Sequence, residues 1–157
     1  MRPPYRIESL LPHAGPMLLL DEVTSLGEET LSAALTVRPG RPFFEPGRGV
    51  AAHVAIEWMA QACGAYVGII ALQAGQPIRM GLLLGTRDFR AAVPWFLEGE
   101  RLNVTATVVF MDSQIGSFDC IVTRAGSDIA LAKARLTLYR PDDTMTLPDA
   151  AVSGTDE

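Results

Sequence analysis

Cysteine and histidine are scarce in this sequence, which contains two of each. Cys63 and Cys120 are too few and too far apart in the chain to form a zinc site, so we predict no metal. Cys63 lies in a long apolar segment and Cys120 in an alternating one, so we expect both to be small buried hydrophobic residues. Any imidazole that takes part in proton transfer has to be His13 or His53, because the sequence contains no other.

Basic charge is also in short supply, and arginine carries almost all of it. The net charge is −5, and Lys133 is the one lysine among 13 basic residues. An acidic chain argues against a nucleic-acid-binding protein, which usually presents a basic face. The N-terminal residues lack the apolar core and the small-residue cleavage site of a signal peptide, so we expect a cytoplasmic protein.

Charge is nearly absent from residues 51–74, where Glu57 is the single formal charge and ten of the 24 residues are Gly or Ala. This pattern predicts a helix that is apolar on nearly all sides and therefore surrounded by protein. The segment is long enough to span a membrane. However, Glu57 and Gln61 would then lie on one face in the hydrocarbon, where charge is costly. The alternating segments around it need a core partner, so we predict a core helix and no membrane span.

The rest of the chain alternates apolar and polar residues in the manner of half-buried β-strands. Strands are predicted at residues 17–23, 30–38, 80–90 (with a bend at Gly85), 101–111, 117–123 and 129–139. The predicted inward residues are Leu31, Ala33, Leu35, Val37, Leu102, Val104, Ala106, Val108, Phe110, Phe118, Cys120, Val122, Ala130, Ala132, Ala134, Leu136 and Leu138. A short helix at residues 5–13, a loop at 39–49 and a connection at 91–99 complete the assignment.

These elements predict an α+β fold in which an antiparallel sheet of about five to six strands wraps around one long central helix. A single domain is expected over residues 1–140. Residues 141–157 are polar and acidic without periodicity, which predicts a disordered tail.

Three segments of the sequence carry recognisable motifs. LLPHAGPMLLLDEV (residues 10–23) and EWMAQA (residues 57–62) resemble the LPH-x-x-P-x-x-LLD opening and the E-x-M-A-Q-A helix segment of bacterial β-hydroxyacyl-acyl-carrier-protein dehydratases. GLLLGTRDFRAAVPWFLEGERL (residues 81–102) resembles a strand and turn of the same family. FF-x-P-G-R-G and the LLGTR-x-[FY]-R run resemble, more narrowly, the ApeP-like dehydratases encoded with aryl-polyene pathways. The resemblance covers residues 7–140.

The resemblance implies a hotdog fold and an enzyme that removes water from a 3-hydroxyacyl thioester to give a trans-2-enoyl thioester. It implies no cofactor beyond the phosphopantetheine of an acyl carrier protein or of CoA, which carries the substrate. In such enzymes a loop His removes the α-proton, and an acidic residue on the partner subunit's helix protonates the leaving hydroxyl. An N–H at the helix N-terminus binds the thioester oxygen, in keeping with the preference of helix N-termini for negative charge.

Carried over by position, Glu57 matches the acidic residue and the Ala52 N–H matches the oxyanion donor. The loop His has no counterpart, because residues 44–52 form a shortened version of that loop without a histidine. His53 lies one turn before Glu57 on the same helix face, so it either acts as the base or fills space. His13 matches the His of LPH and either acts as the base or lines the site mouth.

The remaining candidates are substrate-binding residues. Gln61 is expected to form hydrogen bonds within the core or across a dimer. Arg79, Arg87 and Arg90 are expected to contact phosphopantetheine or an acidic carrier protein, although solvated strand ends would explain them equally well.

Three functions remain open on the sequence. The first is a 3-hydroxyacyl thioester dehydratase in fatty-acid or aryl-polyene-like biosynthesis, acting alone or as one subunit of a heterodimer whose partner supplies the loop His. The missing histidine favours the heterodimer. The second is a hotdog acyl-CoA or acyl-carrier-protein thioesterase that uses Glu57, and the third is a non-catalytic acyl- or carrier-protein-binding subunit. A homodimer or a heterodimer with a second hotdog subunit is expected, because hotdog subunits build their site between two chains.

Overall fold

One long helix lies across a six-stranded antiparallel sheet in the computed structural model, which describes residues 5–11, 17–78 and 81–139. The helix α1 is Ala55–Gln73, and it follows a 3-10 turn at Ala52–Val54. The strands are β1 (Glu22–Leu26), β2 (Thr30–Thr36), β3 (Phe44–Glu45), β4 (Gly49–Ala51), β5 (Leu82–Ala91), β6 (Trp95–Phe96), β7 (Arg101–Met111), β8 (Ile115–Arg124) and β9 (Ala130–Tyr139). A short 3-10 helix covers Ile7–Ser9.

The large sheet has the strand order β1-β2-β7-β8-β9-β5, so β1 and β5 are its edge strands. All of its neighbouring strands pair antiparallel. The helix α1 packs against the inner face of β2, β7, β8 and β9. This arrangement confirms the predicted α+β architecture.

The core lies between α1 and the inner face of the sheet. From the helix it receives Trp58, Met59 and Ile69, each at most 2% exposed, and from the sheet it receives fully buried residues such as Leu102 and Phe118. Burial of a side chain of this size contributes about 1.5–3 kcal/mol. The apolar window within Ala52–Gln73 would be long enough to cross a membrane, but 67% of it is buried inside this fold, as expected for a core helix.

Two helical glycines allow the N-terminal segment to cross α1 at close range. A Cβ on Gly68 would lie 2.6 Å from the carbonyl oxygen of Leu10, which is closer than a side chain can approach backbone. A Cβ on Gly64 would lie 3.0 Å from Cδ2 of Leu11. These two glycines therefore face the N-terminal segment.

Several predicted boundaries and faces are wrong, and local irregularities explain them. The first strand begins at Glu22 rather than at residue 17, and the N-terminal helix is limited to Ile7–Ser9 within the described residues. Phe110 was expected inside but is 55% exposed, because the β7–β8 register shifts between Val108 and Phe110. Ala130 is only half-buried, next to a register shift opposite Thr123.

A second sheet of three short strands, in the order β3-β4-β6, occupies the predicted loop at 39–49, the predicted connection at 91–99 and residues 50–51. Ala51 was predicted to begin the long helix but belongs to β4. Gly49 adopts φ 104° there, and a Cβ at this position would lie 2.0 Å from the carbonyl oxygen of Phe96. Glycine is therefore required where β4 meets β6. The predicted bend at Gly85 is confirmed as a register irregularity between Leu83 and Gly85. The predicted C-terminal tail lies outside the described residues.

Candidate functional site

One face of α1 forms the wall of an apolar cavity of about 210 Å³. Its helix residues are Glu57, Ala60, Gln61, Gly64 and Val67, whose spacings of three and four residues place them on a single face. At about 1.5 Å per residue, this face extends roughly 15 Å from Glu57 to Val67. The cavity is therefore an elongated groove that begins at a carboxylate.

The opposite wall of the cavity comes from several elements near one end of the sheet. It consists of Leu11, residues 81–83, Met111, Asp112, residues 114–116 and Leu138. Most of these residues are apolar or glycine, so the groove suits an apolar chain that extends away from Glu57. Among the described residues that line the cavity there is no histidine.

Gln61 is the buried polar residue next to Glu57, and it is 1% exposed. Its Nε2 donates hydrogen bonds to the carbonyl oxygen of Met17 at 2.8 Å and to Oε2 of Glu57 at 3.0 Å. Its Oε1 accepts a hydrogen bond from the backbone N–H of Leu19 at 2.9 Å. Both amide hydrogens and the amide oxygen thus have hydrogen-bond partners, and these partners fix the orientation of the amide group. Gln61 links the carboxylate of Glu57 to residues 17–19.

Glu57 itself lies in the first turn of α1 and is half-buried at the cavity. An acidic group in this turn is favoured by the partial positive charge of the helix N-terminus. The structure therefore brings together two of the predicted site residues, Glu57 and Gln61.

Of the two predicted histidines, the structure describes His53 alone. His53 belongs to the 3-10 turn before α1, has an exposed side chain and is not one of the cavity-lining residues. His13 lies outside the described residues. A base role for either histidine stays a prediction.

The Ala52 N–H has a partner within the chain, since it donates to the carbonyl oxygen of Pro94 at 3.0 Å. This hydrogen bond joins the start of the 3-10 turn to the segment before β6. An oxyanion role for Ala52 would require that bond to be broken, so the present geometry does not favour the role.

Two of the three predicted basic residues lie within the described part of the chain. Arg87 and Arg90 are exposed on edge strand β5, opposite Arg135 and Lys133 of β9. Neither of them lines the groove. Arg79 lies outside the described residues. Contact between these arginines and a substrate or carrier stays a prediction.

The two cysteines are buried as predicted, at 0% and 3% exposure, and their sulfur atoms lie 3.5 Å apart. Burial, followed by the hydrogen bond with Cys120, raises the pKa of the Cys63 thiol well above its ordinary value. A buried thiol that keeps its proton is a poor nucleophile. Cys63 is therefore a packing residue of the helix–sheet contact.

Within the described ranges there is no group of three or more His, Cys, Asp or Glu able to hold a metal.

Sequence reasoning missed Arg41 and Asp21. Arg41 donates through Nη2 to the carbonyl oxygens of Leu18 and Leu19, both at 3.0 Å, and through Nη1 to Oδ1 of Asp21 at 2.8 Å. Asp21 is the last residue of the LLD motif, which was the only signal for this contact. Arg41 itself lies in a segment that the sequence marked only as loop.

Comparison with solved structures gives matches that share this architecture. A chain of the dehydratase heterocomplex ApeI:P from Xenorhabdus doucetiae matches with a TM-score of 0.82 and 30% identity, over 89% of this chain and 93% of that chain. A hypothetical thioesterase with coenzyme A from Streptococcus pneumoniae TIGR4 matches at 0.60 and 12% identity, over 76% and 84% of the two chains. The E. coli PaaI protein of the phenylacetic acid degradation operon matches at 0.57 and 16% identity, over 75% and 81%.

At 12% and 16% identity, the last two matches show the fold alone, which is the hotdog fold predicted from the sequence. A comparison with curated protein sequences finds no match. The family model for the ApeP-like dehydratases (ApeP dehydratase) matches residues 5–149. Together with the 30% identity to the heterocomplex chain, this match confirms the resemblance. The chain belongs to the ApeP-like dehydratase family.

Proposed function

We propose that this chain is one subunit of a heterodimeric dehydratase that acts on 3-hydroxyacyl thioesters, with an ApeI-like hotdog protein as the second subunit. The observation that carries the proposal is the position of Glu57, a half-buried carboxyl at the end of an apolar groove whose described lining contains no histidine. Such a groove provides an acid for the reaction and space for an acyl chain. The complementary base then has to come from elsewhere.

The proposed reaction is a β-elimination. A base removes the proton from Cα, the electron pair forms the Cα–Cβ double bond, and the bond from Cβ to the hydroxyl oxygen breaks. Glu57 in its acid form gives its proton to the departing hydroxyl, which leaves as water. Proton loss at Cα and proton gain at the hydroxyl balance, so the reaction requires no metal or redox partner.

Gln61 supports this role because its amide donates directly to Oε2 of Glu57 at 3.0 Å and is itself held by two backbone groups. The hydrogen bond fixes the position of Oε2 and thereby orients the carboxyl group of Glu57. Placement of this kind contributes to rate because a reacting group that is already in position spends less entropy in reaching the transition state.

The base is proposed to be a histidine of the second subunit. His53 is exposed and does not line the groove, which is consistent with this assignment. The heterocomplex match provides a precedent for two different subunits. The acyl group is proposed to arrive on the phosphopantetheine of an acyl carrier protein or of CoA, with Arg87 and Arg90 available at the exposed edge strand for its phosphate.

The test is an assay of the purified chain, of its ApeI-like counterpart, and of their mixture with a 3-hydroxyacyl thioester, in which enoyl product and free thiol are measured separately. We expect enoyl formation from the mixture, and we expect the mixture with Glu57→Gln to lose about 10²–10⁴-fold, the usual contribution of a general acid. Glu98→Gln, an exposed carboxylate outside the groove, is the matched control and should keep full activity. Full enoyl formation by the Glu57→Gln mixture would refute the proposal.

A thioesterase is the second candidate, because a helix carboxylate in an apolar groove can also activate a water molecule without a histidine. The same assay separates the two, since a thioesterase releases free thiol and no enoyl product. If neither product appears in the chain alone or in the mixture, the non-catalytic binding subunit is the remaining interpretation.

A further inference from the structure

Residues 17–20 run beyond the paired part of the sheet, and their backbone needs other partners. The ladder between β1 and β2 starts with the Asp21 N–H, which donates to the carbonyl oxygen of Ala34 at 2.8 Å. Before that point, the carbonyl oxygens of Leu18 and Leu19 accept from Nη2 of Arg41 at 3.0 Å each. Arg41 therefore supplies the hydrogen-bond donors that a neighbouring strand would otherwise give to these two carbonyls.

The same short segment holds Gln61. Leu19 donates its N–H to Oε1 of Gln61 while its carbonyl oxygen accepts from Arg41, so the side chains of Gln61 and Arg41 contact the same residue. Met17, two residues earlier, accepts from Nε2 of Gln61 at 2.8 Å. A shift of this segment would move both backbone groups that orient the Gln61 amide.

We propose that Arg41 is a positioning residue for Glu57. It holds the carbonyls of residues 18 and 19. The N–H of Leu19 and the carbonyl of Met17 in the same segment hold the amide of Gln61, and Gln61 holds Oε2 of Glu57. Arg41 does not line the groove, so it acts on the reaction only through these contacts. The kinetic part of this inference rests on the proposed dehydratase function, while its structural part does not.

The geometry of Arg41 suits this role better than that of another cation would. A guanidinium presents several N–H donors in one plane, so Nη1 can bind Asp21 while Nη2 binds two carbonyls. Asp21 is itself oriented, since its Oδ2 accepts the backbone N–H of Thr36 at 2.9 Å. The side chains of Arg41 and Asp21 are 24% and 19% exposed, so water competes only partly for these bonds.

Arg38 provides a matched control within the chain. It also pairs with Asp21, at 3.2 Å, but its side chain is 51% exposed and, in the described chain, its ion pair is with Asp21 alone. Arg38→Ala therefore removes one positive charge from Asp21 without touching residues 18 and 19. Any difference between Arg41→Ala and Arg38→Ala reports on the contacts to those two carbonyls.

The experiment compares Arg41→Ala, Arg41→Lys and Arg38→Ala in the full chain. The structural measurement is the pair of side-chain amide resonances of Gln61 in ¹⁵N-labelled protein, with the melting temperature as the check of folding. We expect these resonances to shift in Arg41→Ala, to shift less in Arg41→Lys, and to stay in place in Arg38→Ala. The lysine variant keeps the charge that faces Asp21, so it tests the contacts even if the alanine variant does not fold.

The kinetic measurement is the rate of enoyl formation in the mixture with the ApeI-like subunit. We expect Arg41→Ala to lower kcat about tenfold, because a misplaced catalytic group costs rate even when the displacement is small. KM should change by less than about twofold, since Arg41 makes no contact with the groove.

Unchanged Gln61 resonances in folded Arg41 variants, or equal loss of kcat in Arg38→Ala, would overturn the inference. If the wild-type mixture forms no enoyl product, the proposed function fails, and the Gln61 resonances still decide whether Arg41 orients the amide.

Discussion

At the residue scale, three side chains explain most of the candidate site: Glu57 supplies the carboxyl, Gln61 orients it, and Arg41 holds the segment that orients Gln61. The first two were predicted from the sequence because they lie four residues apart in a recognisable helix motif. Arg41 was not predicted, because its partners are 22 and 23 residues away and are backbone carbonyls. No sequence pattern marks an arginine that binds backbone of a distant segment.

The buried thiol of Cys63 leads to a prediction about pH. Burial raises its pKa in the folded protein well above the ordinary value of about 9.0, whereas the unfolded chain releases the proton near that value. Above roughly pH 9 the unfolded state therefore binds fewer protons than the folded state, and the free energy of unfolding falls as pH rises. Below that pH the contribution of Cys63 is fully present.

We expect the free energy of unfolding, measured in urea between about pH 7 and 10, to decline at the alkaline end. The decline should be shallower in Cys63→Ala, which has no thiol to ionise in its unfolded state. Tyr66 adds to the slope in both proteins, because burial, followed by Glu29 and Glu28, raises its pKa as well. Identical slopes in wild type and Cys63→Ala would contradict the raised pKa of Cys63.

At the element scale, α1 acts as both the core helix and the wall of the groove. Its sheet-facing residues are large and buried, while Gly64 and Gly68 on another face leave room for the N-terminal segment. Gly64 also lines the groove, seven residues or roughly 10 Å beyond Glu57. The faces of α1 thus differ in side-chain size, with large residues toward the sheet and glycines toward the N-terminal segment.

Gly64 should therefore limit the length of the acyl chain. Among the described residues, a Cβ at this position meets only the flexible end of Leu11, at 3.0 Å, so we expect Gly64→Ala to fold and Gly64→Leu to fill the groove. In the mixture assay, kcat/KM of Gly64→Leu should fall about tenfold or more for long 3-hydroxyacyl thioesters and little for short ones, since a filled pocket excludes the added methylenes.

Ala71→Leu is the control for this substitution, because Ala71 lies on the same helix but does not line the groove. Its chain-length profile should match that of the wild type. An unchanged profile in Gly64→Leu would mean that the acyl chain takes another path.

At the scale of the whole molecule, apolar side chains are exposed where the groove meets edge strand β5. Leu83 and Leu84 on this strand are 43% and 58% exposed. An unpaired edge with exposed leucines is a ready site for another chain. The proposed second subunit would cover the part of this edge at Leu83 and Leu84 and bring its base to Glu57.

We therefore expect Leu84→Lys to weaken assembly with the ApeI-like subunit, because a charge on a covered apolar surface loses hydration without gaining a partner. The dissociation constant, measured by titration or native mass spectrometry, should rise about tenfold or more, the effect of an interface hot spot. Ile129→Lys is the control, since Ile129 is 72% exposed at the β8–β9 turn, at the other end of these strands. Equal effects of both variants would place the interface elsewhere.

The sequence by itself determined the elements that repeat a simple pattern. Alternation along seven to eleven residues predicted the strands β2, β7, β8 and β9, and the charge-poor segment predicted α1, because burial selects side chains at regular intervals. A helix motif of six residues was enough to predict Glu57 and Gln61 as neighbours, since an i, i+4 spacing is a local property of the helix.

Only the tertiary structure decided the features that depend on distant segments. The strands β3, β4 and β6 have two or three residues each, too few to show any period, and they form because Gly49 lets two loops meet. Phe110 faces outward because the pairing of β7 with β8 shifts register between Val108 and Phe110, and this pairing is a contact between two strands. Arg41 reaches residues 18 and 19 for the same reason. A hydrogen bond acts only over a short distance, so it forms where the fold brings its two groups together, and the order of residues along the chain does not reveal that contact.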